Sequence, residues 1–565
     1  MESEGLAFTK SDLVAHFLAA QNVSAVYQLS GGMIAFLTDA IARLGKTPIV
    51  SLRHEQAAGF AAEGSTRITG RSSVAMATSG PGATNLITAI ASSYFDSVPT
   101  IFITGQVNQS EAKHSKLQRQ NGFQELDITT MVQGITKRAI LVNSSTDLLA
   151  KLNTAWRIAH EGRPGPVLID IPIDVQQELV SSVVRIVPNE VLKVTEQVSG
   201  GLTKLKELLE KSTSPIILAG GGIRASQSTE IFREVVKSLK LPVVYSLMGV
   251  DLLDEDSPER VGMIGSYGNR WANRALAKAD LVIAFGTRLD VRQTGTDLQT
   301  FLHGKRIFRV DIDDEELDGR IKADVSVKTD LKIFLEALLK AGWEFASEER
   351  LAGIFNERTE RSQASEQAAN ISFNPDEIIR WIAKTFAKTN GFIVDVGQHQ
   401  MWAAQSLLLG PSQRFITSGG LGAMGFALPA SIGAAFAQPG RWVVITGDGC
   451  TQLSIAELQT IKQWQLPITI CVINNSQHGM VAQFQEGNLD GRYISTRDGY
   501  SAPEFCEVAE AFGIKAVRFE YSADFAKHQT WVDQTDSGPA LLEFIVSQDA
   551  KALPKMAMGD SIKDL

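Results

Sequence analysis

Three cysteines in 565 residues, Cys450, Cys471 and Cys506, form no Cys-x-x-Cys pair and no metal-ligand spacing. A disulfide scaffold is not expected, and a reducing cytoplasm is the expected compartment. No apolar run reaches the roughly 18 residues of a membrane span, so no membrane contact is expected and the chain reads as soluble. Positive charge is not in excess: the net charge is −9 and no basic domain stands out, which argues against a nucleic-acid partner. The first residues, Met1-Glu2-Ser3-Glu4-Gly5, are acidic and carry no apolar stretch, so no signal peptide is expected. What remains is 44% hydrophobic and 21% charged, ordinary for a large globular chain with an ample core. The length suggests about three domains.

The chain is organised around Gly447-Asp448-Gly449, followed at a fixed distance by Asn474-Asn475. The preceding Arg441-Trp442-Val443-Val444-Ile445-Thr446 is an apolar, β-branched run that reads as a buried strand. Its two glycines let the backbone approach a ligand while Asp448 projects a carboxylate. A helical segment from Ile455 to Trp464 leads to a second buried strand, Ile468 to Ile473, ending at Asn474-Asn475. In a parallel sheet both strand ends share the edge where open α/β sheets bind ligands. A carboxylate and an amide oxygen placed there suit a hard divalent cation that takes further oxygens from a diphosphate. Each piece alone also fits a turn aspartate or a helix-capping asparagine. The pair at this spacing is the diphosphate signature of thiamine-diphosphate enzymes.

The fold class is α/β. Residues 1–185 alternate helical and strand patterns and form a first domain. Ser11-Asp12 caps a helix through Ala20, Ala25-Val26-Tyr27 is a strand entering Ser30-Gly31-Gly32, and Pro48 to Leu52 delivers Arg53-His54-Glu55. Gln56 to Ala62 is small and apolar, suited to a closely packed helix. Ser73 to Ala77 is a strand, and Thr78-Ser79-Gly80-Pro81-Gly82-Ala83-Thr84-Asn85 opens a helix, an arrangement that binds anions or polar ligands. Gly165 to Pro172 closes the domain, and a polar linker runs near Pro188 to Gly200. A second domain, 190–350, has strand ends at Gly220-Gly221-Gly222, Phe285-Gly286-Thr287-Arg288 and Val310-Asp311-Ile312-Asp313. Either a nucleotide binds there, with N–H groups on phosphate and a carboxylate on ribose, or the domain keeps only the fold. A Glu-rich connector, Ala346 to Asn370, precedes a third domain, 371–547, and residues 548–565 read as a tail or lid.

Nearly end to end, the chain resembles the acetolactate synthase branch of thiamine-diphosphate enzymes. The matching stretches are Arg53 to Ala58, Thr78 to Asn85, Asp96-Ser97-Val98-Pro99 with Ile103 to Val107, Gly165 to Pro172, Asp395 to Trp402, Gly419 to Pro429 and the Asp448 and Asn475 motif. The resemblance implies pyrimidine-binding, central and diphosphate-binding domains, each with a mainly parallel sheet flanked by helices. It implies a homodimer or homotetramer with active sites between subunits, a 2-keto acid donor, a ketone acceptor, and thiamine diphosphate as the electron sink. Glu55 matches the catalytic glutamate that hydrogen-bonds N1′ of the aminopyrimidine and promotes the imino tautomer, the base at C2. Asp448 and Asn475, with the Gln477 carbonyl, match the ligands of Mg2+, and Met424 the apolar buttress that keeps the cofactor bent. Gly397, Gln398 and His399 fall where the family holds the diphosphate; Gly31, Pro81, Asn85, Gly422, Gly447, Gly449 and Met480 complete the expected cofactor contacts.

The middle domain keeps the family's flavin pattern. Gly220, Gly221, Gly222, Gly265, Gly268, Gly286, Thr287, Arg288, Asp290, Arg292, Asp311 and Ile312 are the expected contacts of an FAD that does no net redox work. Arg292 also falls where the family places an arginine near the acceptor carboxylate.

The departures concern the acceptor. The loop Asn108 to Gly122 is longer than a synthase's and carries Lys113, His114, Lys116 and Arg119 before Phe123-Gln124-Glu125. Ile173 stands in place of a lysine and Phe484 in place of a tryptophan. With Pro554-Lys555-Met556-Ala557-Met558-Gly559, the loop resembles the acetolactate-synthase-like flavoenzymes of polysaccharide gene clusters. Some of those add a two-carbon unit from pyruvate to a nucleotide-linked keto sugar. Phe123, Gln124 and Phe484 are then the expected substrate contacts. The expected activity is a pyruvate-decarboxylating carboligase acting on a ketone. The alternatives are a true acetolactate synthase, with pyruvate or 2-ketobutyrate as acceptor, and a pyruvate-oxidase-like flavoenzyme. Intact Glu55, Asp448 and Asn475 argue against a non-catalytic relative.

Overall fold

Runs such as Val443-Val444-Ile445 and Ile470-Cys471-Val472 bury every side chain, which a strand does only in a sheet covered on both faces. The computed structural model describes residues 8–113, 115, 117–180, 198–345, 373–535 and 538–555. In it such strands form three six-stranded sheets, all parallel. The first contains β1 (Val26–Gln28), β2 (Ile49–Ser51), β3 (Val74–Ala77), β4 (Ile101–Gln106), β5 (Arg138–Leu141) and β6 (Val167–Pro172). The second contains β7 (Pro215–Ala219), β8 (Val243–Tyr245), β9 (Arg260–Met263), β10 (Leu281–Phe285), β11 (Arg306–Asp311) and β12 (Val325–Lys328). The third contains β13 (Gly391–Val394), β14 (Arg414–Thr417), β15 (Trp442–Gly447), β16 (Ile468–Asn474), β17 (Lys515–Phe519) and β18 (Ala540–Ile545).

The first sheet runs β2-β1-β3-β4-β6-β5 and the third β14-β13-β15-β16-β18-β17, the same connectivity repeated. The second, β12-β11-β10-β7-β8-β9, read from its β9 edge is third-second-first-fourth-fifth-sixth. That is the doubly wound order whose switch point binds dinucleotides.

The three units share cores. One runs from Tyr27, Phe60 and Phe102 of the first unit to Phe426, Ile432 and Trp442 of the third. Another joins Phe232, Phe285 and Phe308 of the second unit to Trp402, Val443 and Phe544 of the third. Helix Glu55–Thr69 and helix Ala427–Ala437 cross at backbone distance. A Cβ on Gly433 would lie 2.6 Å from the Ala61 carbonyl carbon, and one on Gly64 2.9 Å from that of Ala430, each closer still to the oxygen. Among the described residues no helix is long and apolar enough to cross a membrane, and the three cysteines are free.

Two local expectations shift. The first helix starts at Lys10, with Thr9 as its cap: Thr9 Oγ1 accepts from Asp12 N and Asp12 returns the bond to Thr9 N, so Asp12 serves one turn in rather than at the start. A helix begins at Asp448 itself, where a turn is expected from the sequence, and a second covers Glu457–Gln463. The described part of the C-terminal segment lies on the third unit: Trp402 Nε1 donates to Lys551 O at 3.0 Å and Gln483 Nε2 to Ala552 O at 2.9 Å. The expectations for residues 1–5, His114, Lys116, 188–197, the connector 346–370 and Met556–Gly559 lie outside the described residues.

Gly433→Ala forces a methyl into the Ala61 carbonyl and is expected to cost about 1–3 kcal/mol or more by overpacking. Gly134→Ala, where a Cβ meets nothing within 4 Å, is the control. Comparable melting temperatures for the two variants would show that the helices part without cost.

Candidate active site

In an open parallel sheet the ligand crevice lies where successive connections leave to opposite faces. In the first sheet that point is between β1 and β3. Gly31 follows β1 and Thr78 follows β3, so close that a Cβ on Gly31 would lie 2.5 Å from Thr78 Cβ. Glu55, just past β2, is the first residue of helix Glu55–Thr69, capped by His54 Nδ1 accepting from Gln56 N. The Glu55 carboxylate is buried and accepts from Asn85 Nδ2 at 2.9 Å. Its Oε1 lies 3.3 Å from where a Gly82 Cβ would be. It makes no ion pair with Arg53, whose N–H donates to Glu457 Oε1 at 2.9 Å and whose guanidinium donates to Gln463 Oε1 at 2.6 Å. Pro81 is exposed beside this group.

The long loop ends against the same turn. A Cβ on Gly80 would meet Gln124 Cβ at 2.8 Å, and Gln124 itself takes a φ of 62°. The Glu125 carboxylate gathers the N–H groups of Lys113 (2.8 Å), Asn121 (2.7 Å) and Gly122 (3.3 Å). Burial raises its pKa, but those amides outweigh it and hold the group below the usual carboxylate value. Phe123, at the tip, is 80% exposed.

In the third sheet the equivalent point lies between β13 and β15. The His399 ring is wedged between two glycines: a Cβ on Gly397 would sit 2.6 Å, and one on Gly447 2.9 Å, from its Cε1. His399 Nε2 is buried and has no hydrogen-bond partner among the described residues, and burial pushes the ring's pKa down to about 3, so it is neutral. Asp448 is buried, accepts from Tyr500 Oη (2.9 Å) and Gln477 N (3.1 Å), and is pushed by desolvation up to about 6. Asn475 Nδ2 donates to Gln398 Oε1 at 2.9 Å, and among the described residues nothing donates to Asn475 Oδ1. The Gln477 carbonyl accepts from Gly479 N at 3.0 Å. Met424 leans over Gly449, its Cε 3.4 Å from where a Cβ would be, and Gly422 takes a φ of 69°. Met480 is partly buried in the helix that follows Gly479, and Phe484 is 54% exposed with Lys555 Nζ 6.0 Å from its ring centre.

These residues fit a diphosphate and a hard cation. Among the described residues no three or more His, Cys, Asp or Glu cluster, so a cation here must take oxygens from amide, carbonyl and ligand. The orphaned His399 nitrogen and the glycine floor leave polar contacts and room for phosphate oxygens.

At the switch point of the second sheet, the turns after β7 and β10 cross. Gly222 N donates to Gly286 O at 3.0 Å, and a Cβ on Gly222 would meet Gly286 Cα at 2.7 Å. Asp311, half-buried and raised by desolvation, accepts from Ile312 N and Asp313 N. Asp290 caps the short helix carrying exposed Arg292, and its carboxylate lies 3.4 Å from Arg288 Nη2. Thr287 Oγ1 donates to Gln293. Gly265 faces the Arg292 carbonyl, and a Cβ on Gly268 would meet the Met263 carbonyl at 2.6 Å. Several of these glycines are therefore required by backbone crossing alone.

The structure brings Glu55, Gly31, Pro81 and Asn85 together, and separately His399, Asp448, Asn475 and Met424. Among the described residues no hydrogen bond or ion pair joins the two groups.

Comparison with known proteins fits this division. Residues 8–131 match the thiamine pyrophosphate enzyme N-terminal TPP binding domain, 202–338 the central domain, and 395–544 the C-terminal TPP binding domain. The chain is 35% identical to the acetolactate synthase isozyme 2 large subunit of Escherichia coli over 98% of each chain. It is 34% identical to the acetolactate synthase large subunit of Cyanidium caldarium over 96% of this chain and 94% of that one. The chain belongs to the acetolactate synthase family of thiamine-diphosphate enzymes. It is therefore a thiamine-diphosphate-dependent enzyme that forms carbon–carbon bonds, and each half-site described above lies in or beside a matched TPP binding domain.

Within this family frame, four polar residues of the site region were not singled out from sequence. Asp395 and Glu125 sit inside quoted motifs, a signal that was available. Gln483 lies beside Phe484 in the stretch from Met480 to Gln485, Tyr500 lies in no motif, and only the folded chain brings Tyr500 to Asp448 and Gln483 to Gln398.

Asp448→Ala is expected to raise the thiamine diphosphate and Mg2+ concentrations needed for half-saturation, because a cation loses its charged protein ligand. Glu55→Gln should retain cofactor while losing roughly a hundredfold to ten-thousandfold in turnover, the weight of one acid–base group. Cofactor titration and pyruvate consumption measure both. Wild-type behaviour in either variant removes that residue from the site.

Proposed function

We propose that this enzyme decarboxylates pyruvate and transfers the resulting two-carbon unit to a ketone bulkier than a second pyruvate, such as a nucleotide-linked keto sugar. When bound, thiamine diphosphate supplies the electron sink for loss of CO2. Glu55, held by Asn85, keeps a proton at the pyrimidine N1′. Asp448, Asn475 and the Gln477 carbonyl hold Mg2+, and His399, Gln398 and the glycines around them hold the diphosphate. Met424 keeps the cofactor bent. Because, among the described residues, no hydrogen bond or ion pair joins the two half-sites within one chain, a homodimer or larger assembly completes each centre, covering exposed Phe123, Leu421 and Phe484. FAD occupies the switch point of the second sheet, a reading supported by the strand order and by Asp311 at the end of β11. The domain limits follow as 1–185, 190–350 and 371–547.

The observation that carries the acceptor reading is the seat of the long loop. Glu125 gathers three of its amides and Gln124 packs on Gly80, which puts Lys113 and Arg119 on a segment anchored at the pyrimidine half-site. Basic side chains there suit a diphosphate-bearing acceptor through charge-assisted hydrogen bonds. Phe484, smaller than tryptophan and half exposed, leaves a wide rim, and Ile173 offers no cation for a small carboxylate. A second reading, acetolactate synthesis from two pyruvates, is favoured by the names of the relatives at 35% identity.

Pyruvate offered with a panel of acceptors, products read by mass and flavin absorbance followed throughout, decides between them. Adducts of bulky ketones with unchanged oxidised flavin are expected, and Lys113→Ala with Arg119→Ala should lose the nucleotide-linked acceptor while still decarboxylating pyruvate. Acetolactate as the sole product would select the second reading; stoichiometric flavin reduction would select an oxidase.

A further inference from the structure

The Asp96-Ser97-Val98-Pro99 turn takes no part in the two half-sites, yet its carboxylate reaches from the first unit to the third. Asp96 Oδ2 accepts the N–H of Gly419 at 3.0 Å and Oδ1 that of Gly420 at 2.6 Å. Arg67 Nη2 donates to the same carboxylate at 2.6 Å, and Arg67 Nη1 donates to Thr417 O at 3.1 Å. The pair is buried, with 9% of the Arg67 side chain and 2% of the Asp96 side chain exposed. The neighbouring Ser97, at a φ of 58°, accepts from Arg163 Nε, and Arg163 Nη1 binds Asp313 and Glu316 of the second unit. At the other end of the segment, Asp395 accepts from Gly425 N and Ala427 N, both at 2.9 Å.

Residues 419–427 are thus strung between two carboxylates, one from the first unit and one from the third, with Met424 between them. Hydrogen bonds from backbone amides to an ionised acceptor are among the strong ones. A buried carboxylate that also holds a guanidinium has little freedom to follow the segment, so the segment follows the carboxylate.

We propose that Asp96 is a positioning residue: from the first domain it sets where residues 419–424 lie, and so how Met424 meets the cofactor. This rests on the reading of Met424 as the buttress of thiamine diphosphate.

Asp96→Asn keeps the shape, removes one of the two carboxylates beside Arg67 and leaves Arg67 paired with Glu63. Hydrogen–deuterium exchange of the 414–427 peptide in cofactor-free protein should quicken roughly tenfold or more, with other helices unchanged. At saturating cofactor kcat should fall roughly tenfold, as expected for a displaced reacting geometry, with pyruvate KM nearly constant. Asp96→Glu keeps the charge on a longer arm and decides the matter if Asp96→Asn does not fold: it should retain the melting temperature and still lower kcat. Variants that melt lower but show wild-type exchange and kcat once folded and saturated would overturn the proposal, leaving Asp96 a purely structural residue. Met424→Ala separates the two layers. If it changes neither kcat nor cofactor affinity, the buttress reading falls and Asp96 with it. If it lowers kcat and neither Asp96 variant does, only the Asp96 assignment falls.

Discussion

Helix Glu55–Thr69 and helix Ala427–Ala437 meet through Gly64 and Gly433, and at each crossing the partner's carbonyl occupies the space a methyl would need. Backbone contact of this kind fixes both distance and register, because neither helix can slide without driving a Cβ into a carbonyl. The two helices carry the site with them. Glu55 is the first residue of one, and Met424 stands three residues before the other. At the far end Arg67 leaves the first helix to grip Thr417 O and Asp96, and Arg414 returns a bond to Arg67 O at 3.1 Å. The apolar core is continuous across this contact, so the first and third units behave as one body with a half-site on each.

The half-site of the third unit holds ionisable groups against their solution preference. Desolvation lifts Asp448 to about 6 and drops His399 to about 3, so protein alone neither stabilises the carboxylate fully nor protonates the ring. A cation beside Asp448 would supply the opposite charge, and a phosphate oxygen would give His399 Nε2 a partner. Ligand binding and folding stability are therefore linked: whatever binds the folded state alone stabilises it by mass action. The Tyr500 hydroxyl and the Gln477 amide keep the Asp448 carboxylate in place meanwhile.

Strands and strand ends were legible because burial on both faces leaves a continuous β-branched run that glycine or an acidic residue terminates, as at Thr446-Gly447-Asp448 and Val310-Asp311. The resemblance points to Glu55, and the geometry shows why this carboxylate does not pair with neighbouring Arg53: Arg53 is committed to Glu457 and Gln463, some four hundred residues away. Other features depend on such distant partners and leave no local trace. Thr9 outcompetes Ser11 as a cap only because Asp12 answers it one turn later. Residues 548–565 read as a tail or lid, and in their described part Trp402 and Gln483 bind the carbonyls of Lys551 and Ala552. The loop from Asn108 reads as longer than a synthase's and basic, but nothing local shows that Glu125 organises it from its own end.

The second sheet reaches the third unit close to the Asp96 contact. Its glycine turn after β7 and the thiamine segment of the third unit are separated by one side chain, Met248. A Cβ on Gly221 would lie 3.0 Å from Met248 Cβ, and the Met248 Cγ lies 3.0 Å from where a Gly419 Cβ would be. Methionine adapts to irregular gaps but cannot vanish from them. A ligand that stiffened the Gly220–Gly222 turn would limit how far Met248 can retreat, and with it how far Gly419 can move from Asp96.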